Sequence, residues 1–99
     1  MTGTEAFKLD YSRLLDGLES RWQARLVLAA RDHVGRALDD GAESHDELDE
    51  ARWAVERVMF DSADWEPITA VDISDIAYDH VTGAWYALRD EAWKEEMGL

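Results

Sequence analysis

The chain contains no cysteine, one proline and six glycines, and no apolar run longer than five residues. Each scarcity removes a class of protein. Without thiols there is no disulfide framework, no thiolate zinc site and no cysteine nucleophile, so stability must come from packing; the cellular compartment is left open by this count alone. The longest apolar runs, Leu26 to Ala30 and Ala84 to Leu88, fall far short of the roughly 20 residues a membrane-spanning helix needs. Met1 to Asp10 carries one Lys and no apolar stretch of signal-peptide type, so the reading places the protein in the cytoplasm.

Basic residues are the other scarcity. Only 10 Lys and Arg stand against 23 Asp and Glu, a formal net charge of −13 over 99 residues. A chain this acidic cannot neutralise phosphates and release their counterions, which argues against direct binding of nucleic acid and of anionic membrane surfaces. Its natural partners are basic proteins, nucleic-acid-binding proteins among them.

What is present is helical periodicity. Apolar residues recur at spacings of three and four, which predicts an all-α fold: a small three-helix bundle, with four helices if the first one breaks. The reading is a single acidic helical domain over residues 1–99, with 1–9 a flexible N-terminal segment. The first helix is expected to start near Asp10 or Ser12 and to carry Tyr11, Leu14, Leu15, Leu18, Trp22, Leu26, Ala29, Ala30, His33 and Ala37 on its buried stripe. A bend is expected at Gly17 or Gly35. Asp39, Asp40 and Gly41 end the helix.

Ser44 and Glu47 fit a capping box at the start of a second helix, whose stripe is Leu48, Ala51, Val55, Val58 and Met59. Phe60 to Pro67 reads as a loop, because Glu66 precedes proline and is pushed away from helical backbone angles. Ile68 to Ile73 is β-branched enough for a short extended piece, but Thr69 or Asp72 equally caps a third helix, the preferred reading. That helix keeps Ile73, Ile76, Ala77, His80, Val81, Ala84, Trp85, Leu88 and Ala92 in phase.

The acidity is unevenly spread. Residues 1–36 balance at +1, whereas 37–99 hold 18 carboxylates against four cations, so the second and third helices and their loops carry the whole excess. On the second helix Asp46, Glu50, Trp53, Arg57 and Phe60 form a stripe opposite the apolar one. On the third, Asp72, Asp75, Asp79, Tyr86 and Asp90 do the same, with Trp93 beyond them. Carboxylates three, four and seven residues apart lie about 5 to 10 Å apart along a helix axis, the range of successive phosphates along a strand. Charged helix faces are commonly no more than solvated surface. Here, however, Asp72, Asp75 and Asp79 have no basic residue within a turn of them, and unpaired like charges cost stability.

Other chemistries find no support. His33, His45 and His80 lack metal-ligand spacing, and the separated glycines build no phosphate-cradling loop. His33 and His80 fall on apolar stripes, where a satisfied core histidine is the common case. Tyr86 and Asp90 resemble, over five residues, the Tyr-x-x-x-Asp/Glu pattern of a group of small exported helical hairpins. The Trp-x-Gly turn of that group is absent, the turn here reading Asp39-Asp40-Gly41-Ala42-Glu43-Ser44. In size and charge the chain resembles the small inhibitors of phages and mobile elements, and acidic antitoxins.

The expected function is therefore non-enzymatic, with no cofactor and no metal: binding a basic surface of a partner protein as an inhibitor or nucleic-acid (DNA) mimic. The residues expected to carry it are Asp46, Glu50, Trp53, Asp72, Asp75, Asp79, Tyr86 and Asp90. The alternative is a structural or assembly module acting as a helical homodimer, in which a second copy covers Val27, Leu28, Val34 and Leu38.

Overall fold

The computed structural model describes residues 3–44 and 48–98, with side chains from Asp10 onward. Among the described residues three α-helices make up the fold: α1 (Gly3–Asp39), α2 (Asp49–Phe60) and α3 (Ala70–Met97), with a 3₁₀ turn at Ala63–Trp65 between α2 and α3. Among the described residues there is no strand. The architecture is an all-α three-helix bundle.

α1 starts well ahead of Asp10 and Ser12. Residues 4–9 include Glu, Ala, Lys and Leu and no breaker, so intrinsic propensity carries the helix back to Gly3. Nor is it broken at Gly17 or Gly35. Each glycine costs about 1 kcal/mol relative to alanine but leaves the hydrogen-bond ladder complete. A helix of 37 residues is about 55 Å long at ~1.5 Å per residue, and the molecule's longest dimension is 56 Å. α1 therefore sets the length of the molecule, and no fourth α-helix arises among the described residues.

The end of α1 is built as the sequence predicts. Gly41 takes a left-handed φ of 93°, and two reverse hydrogen bonds close the last turn, Gly41 N–H to Leu38 C=O at 3.0 Å and Ala42 N–H to Ala37 C=O at 2.9 Å. Only glycine adopts that angle without a steric penalty.

α2 opens differently from expectation. Its N-cap is Leu48, with no side-chain hydrogen bond, and the helix starts at Asp49. Glu47, the second member of the expected capping box, lies outside the described residues, as do His45 and Asp46. Leu48 is instead held by burial in the core, while Asp49 and Glu50 in the first turn complement the helix dipole.

Thr69 caps α3: its hydroxyl accepts from Asp72 N–H at 3.2 Å, so residues 68–73 lead into a helix and not into a strand. The same corner ties α3 to α1. The Tyr11 hydroxyl donates to Asp72 Oδ2 and accepts from Thr69 N–H at 3.2 Å, and the Thr69 hydroxyl reaches the same carboxylate oxygen at 3.0 Å. At the opposite end Arg31 grips Glu91 with hydrogen bonds of 3.0 and 2.8 Å. Tyr11 to Arg31 on α1 thus runs alongside Asp72 to Glu91 on α3, so these two helices are parallel. α2 is the shorter return between them.

The Arg31–Glu91 pair is half-exposed on both sides, and solvent and salt screen such pairs. Arg31→Ala is expected to lower stability in urea by no more than about 1 kcal/mol.

The core follows the predicted stripes. α1 contributes Leu18, Leu26, Ala30 and Val34, α2 contributes Ala51, Val55 and Met59, and α3 contributes Ile73, Ile76, Ala77, Val81, Ala84 and Trp85. Tyr11, Leu15, Trp22, Ala29, Ala37, Val58 and Leu88 pack against its rim. Four residues depart from the prediction. Leu14 and Ala92 are exposed, and His33 and His80 are only half-buried, so neither histidine is a core residue. Val34 departs the other way. Although it sits off the main stripe of α1, it is fully buried, because α2 packs beside the C-terminal part of α1 and widens the arc that is covered there.

Candidate functional site on the outer faces of the second and third helices

On α2, Glu50, Trp53, Arg57 and Phe60 are all exposed, opposite the buried Ala51, Val55 and Met59. Trp53 and Phe60 present large aromatic surface to solvent, at 55% and 57% exposure. They lie seven residues apart and so share one face. Asp46, assigned to this stripe from the sequence, lies outside the described residues.

On α3 the expected stripe divides. Asp75 and Asp79 are exposed, one helical turn or about 6 Å apart along the axis, and neither makes an ion pair or hydrogen bond with any described residue. Tyr86, Trp93 and Met97 continue the same face and are likewise exposed. Asp90 is paired with Lys94 at 3.2 Å, an exposed i,i+4 contact. Its charge is partly offset on its own helix.

Asp72 departs from the expectation. Its carboxylate is half-buried and held by the hydroxyls of Tyr11 and Thr69. The phase of the helix puts Asp72 on the acidic side, but the first turn of α3 meets Tyr11 there. Its charge belongs to the helix N-terminus and to the contact between α1 and α3.

Each stripe lies opposite the buried residues of its own helix, so the two outer faces point in different directions. Between them in the chain lies the turn joining α2 to α3. Sequence reasoning treated that turn as a plain loop and missed its content. Ser62 caps the 3₁₀ turn, its hydroxyl accepting from Asp64 N–H at 3.2 Å, and this drives Trp65 inward to 1% exposure. Trp22 meets it edge-on, with ring centroids 6.2 Å apart, and the Trp22 indole donates to Asp64 Oδ2 at 3.2 Å. The signal was available: a tryptophan in a short polar connection has few places to go but the core.

Arginines of α1 supply little neutralisation to these faces. Arg31 reaches Glu91, Arg36 pairs with Asp32 on its own helix at 3.1 Å, and Arg25 lies over the Trp22 ring at 4.8 Å. Of the residues suggested for a homodimer, Val34 is buried and Leu38 packs against the core, while Leu28 stays exposed.

Among the described residues no group of three or more His, Asp or Glu side chains is placed to hold a metal ion, and no helix is long and apolar enough to cross a membrane. Fold and surface together define a small acidic three-helix bundle with aromatic residues on its acidic faces. Compared with known proteins, the chain matches no family model, no curated protein and no solved structure.

Proposed function

We propose that this is a non-enzymatic protein that binds a basic surface of a partner protein in the cytoplasm, occupying a nucleic-acid-binding site as a mimic or inhibitor of the kind carried by phages and mobile elements, or as an antitoxin. The observation that carries the reading is the outer face of α3. Two exposed carboxylates, Asp75 and Asp79, stand one turn apart without partners among the described residues, in line with exposed Tyr86 and Trp93. Carboxylates attract and orient a basic partner, and aromatic rings supply the contact area that is desolvated on docking.

A surface kept polar for solubility alone gains nothing from exposed tryptophans such as Trp93 on α3 and Trp53 on α2. Unpaired aspartates at i and i+4 on one helix cost a few tenths of a kcal/mol, a modest penalty that binding offsets. Glu50 and Trp53 on α2 form the second part of the surface.

The test is capture of the partner from host extract with the wild-type protein, followed by titration of the purified pair. Affinity is expected to fall at least tenfold as salt rises from about 50 to 500 mM, because exposed charges are screened over this range. Changing Asp75 and Asp79 together to Asn should weaken binding by about tenfold or more and flatten the salt dependence. Affinity that ignores salt and this double change removes electrostatic recognition as the mechanism.

A further inference from the structure

The corner where α2 turns into α3 carries a small cleft of about 130 Å³, lined by Met59, Phe60, Trp65, Glu66, Ile68 and Ile73, with Ser62 at its edge. That volume is well below the roughly 300–1,000 Å³ of sites for drug-sized molecules. It suits one side chain of a docking protein. Its lining is apolar apart from Ser62, Glu66 and the Trp65 indole.

Two features fix the chemistry of the occupant, and a third supplies a reporter. Phe60 stands at the cleft with more than half its surface exposed, offering a ring face for stacking. Glu66 in the cleft and Asp61 beside it are exposed and make no ion pair with any described residue, so the rim carries uncompensated negative charge. Trp65 is almost wholly buried beneath the cleft, its indole N–H sealed from solvent and without an acceptor among the described residues, so its resonance reports on the cleft floor.

An apolar stem, a flat cationic head that stacks on an aromatic ring, and a fork that pairs with a carboxylate describe arginine and not lysine. We infer that the cleft between Phe60 and Glu66 is a socket for one arginine side chain of the basic partner, with the guanidinium on the Phe60 ring and the Glu66 carboxylate and its stem over Ile68, above the buried Met59 and Ile73. The inference rests on the proposed binding of a basic protein. It adds an anchor point distinct from the α3 face, in a connection whose charges differ from those assigned to the binding stripes.

The experiment uses the full chain labelled with ¹⁵N and titrated with the tetrapeptide acetyl-Gly-Arg-Leu-Gly-amide. The Trp65 indole N–H and Phe60 amide resonances are expected to shift saturably. The same peptide with uncharged citrulline in place of arginine should bind at least tenfold more weakly, and the lysine peptide at least threefold more weakly. Glu66→Gln and Phe60→Ala, both surface changes, should each weaken the arginine peptide at least fivefold, while the Asp75 and Asp79 double change leaves it within twofold.

The socket is overturned if Trp65 does not respond, if citrulline or lysine binds as well as arginine, or if Glu66→Gln has no effect. Shifts that map instead to Asp75, Asp79 and Tyr86 and disappear in the double variant overturn the socket while leaving the proposed function standing. Failure of the proposed function is read separately, in the salt response of the captured partner.

Discussion

Trp65→Ala is expected to remove about 3–5 kcal/mol of folding stability, the cost of emptying a large aromatic site that surrounding residues cannot refill. The side chain is 1% exposed and sits where all three helices converge on the turn, edge-on to Trp22 of α1 and beside Met59 of α2 and Ile73 of α3. A domain of this size has roughly 5–15 kcal/mol in total. The variant should therefore unfold in urea at a much lower midpoint, or lose its cooperative transition altogether, followed by far-ultraviolet circular dichroism.

Trp53→Ala is the control for this expectation. With 55% of its surface exposed, Trp53 should change stability by no more than about 0.5 kcal/mol. Its loss should be felt in partner affinity, where truncation of an aromatic anchor costs about 2 kcal/mol or more. A Trp65→Ala variant as stable as Trp53→Ala would show that the turn is a passive link and that the core ends at Met59.

The contrast between these tryptophans shows which parts of the molecule are legible in its sequence. Periodicity reports one face of one helix. It places Trp85 inside and Trp53 on the outer stripe, because each position is decided by the phase of its own helix; whether α1 or the 61–67 connection covers Trp53 is a matter periodicity leaves open, and the structure leaves it exposed. It also anticipated Gly41, since a left-handed residue after a helix is a local requirement, and Thr69, whose cap needs only the next three residues.

What it missed depends on a second element. Val34 is buried because α2 lies beside it, and Trp65 because a 3₁₀ turn aims it at Trp22. The N-cap of α2 is a related case: Leu48 makes no side-chain cap bond and is held by its burial in the core. The outer stripes were legible as stripes. Their pairing was not, because Asp72 answers to Tyr11, 61 residues away.

That last difference has a measurable consequence. Asp72→Ala is expected to lower stability by about 2–3 kcal/mol, since hydrogen bonds to a charged group are worth about 1.5–3 kcal/mol and a carboxylate in the first turn of a helix adds about 0.3–1 kcal/mol. For a domain of this length the thermal midpoint should fall by roughly 10–20 °C. Tyr11→Phe should cost about 1 kcal/mol, and the double variant should be less destabilised than the sum, because both remove one interaction.

Partner affinity, measured well below the variants' midpoints, should remain within twofold of wild type for Asp72→Asn. Asp75 and Asp79 are expected to behave in the opposite way, changing affinity with little effect on the thermal midpoint. Neutralising all three aspartates together would mix the two effects, and a partly unfolded protein would pass for one that had lost its binding face. The single changes separate them. A midpoint unmoved by Asp72→Ala, together with weakened binding, would place Asp72 back on the recognition surface and leave the Tyr11 contact without energetic weight.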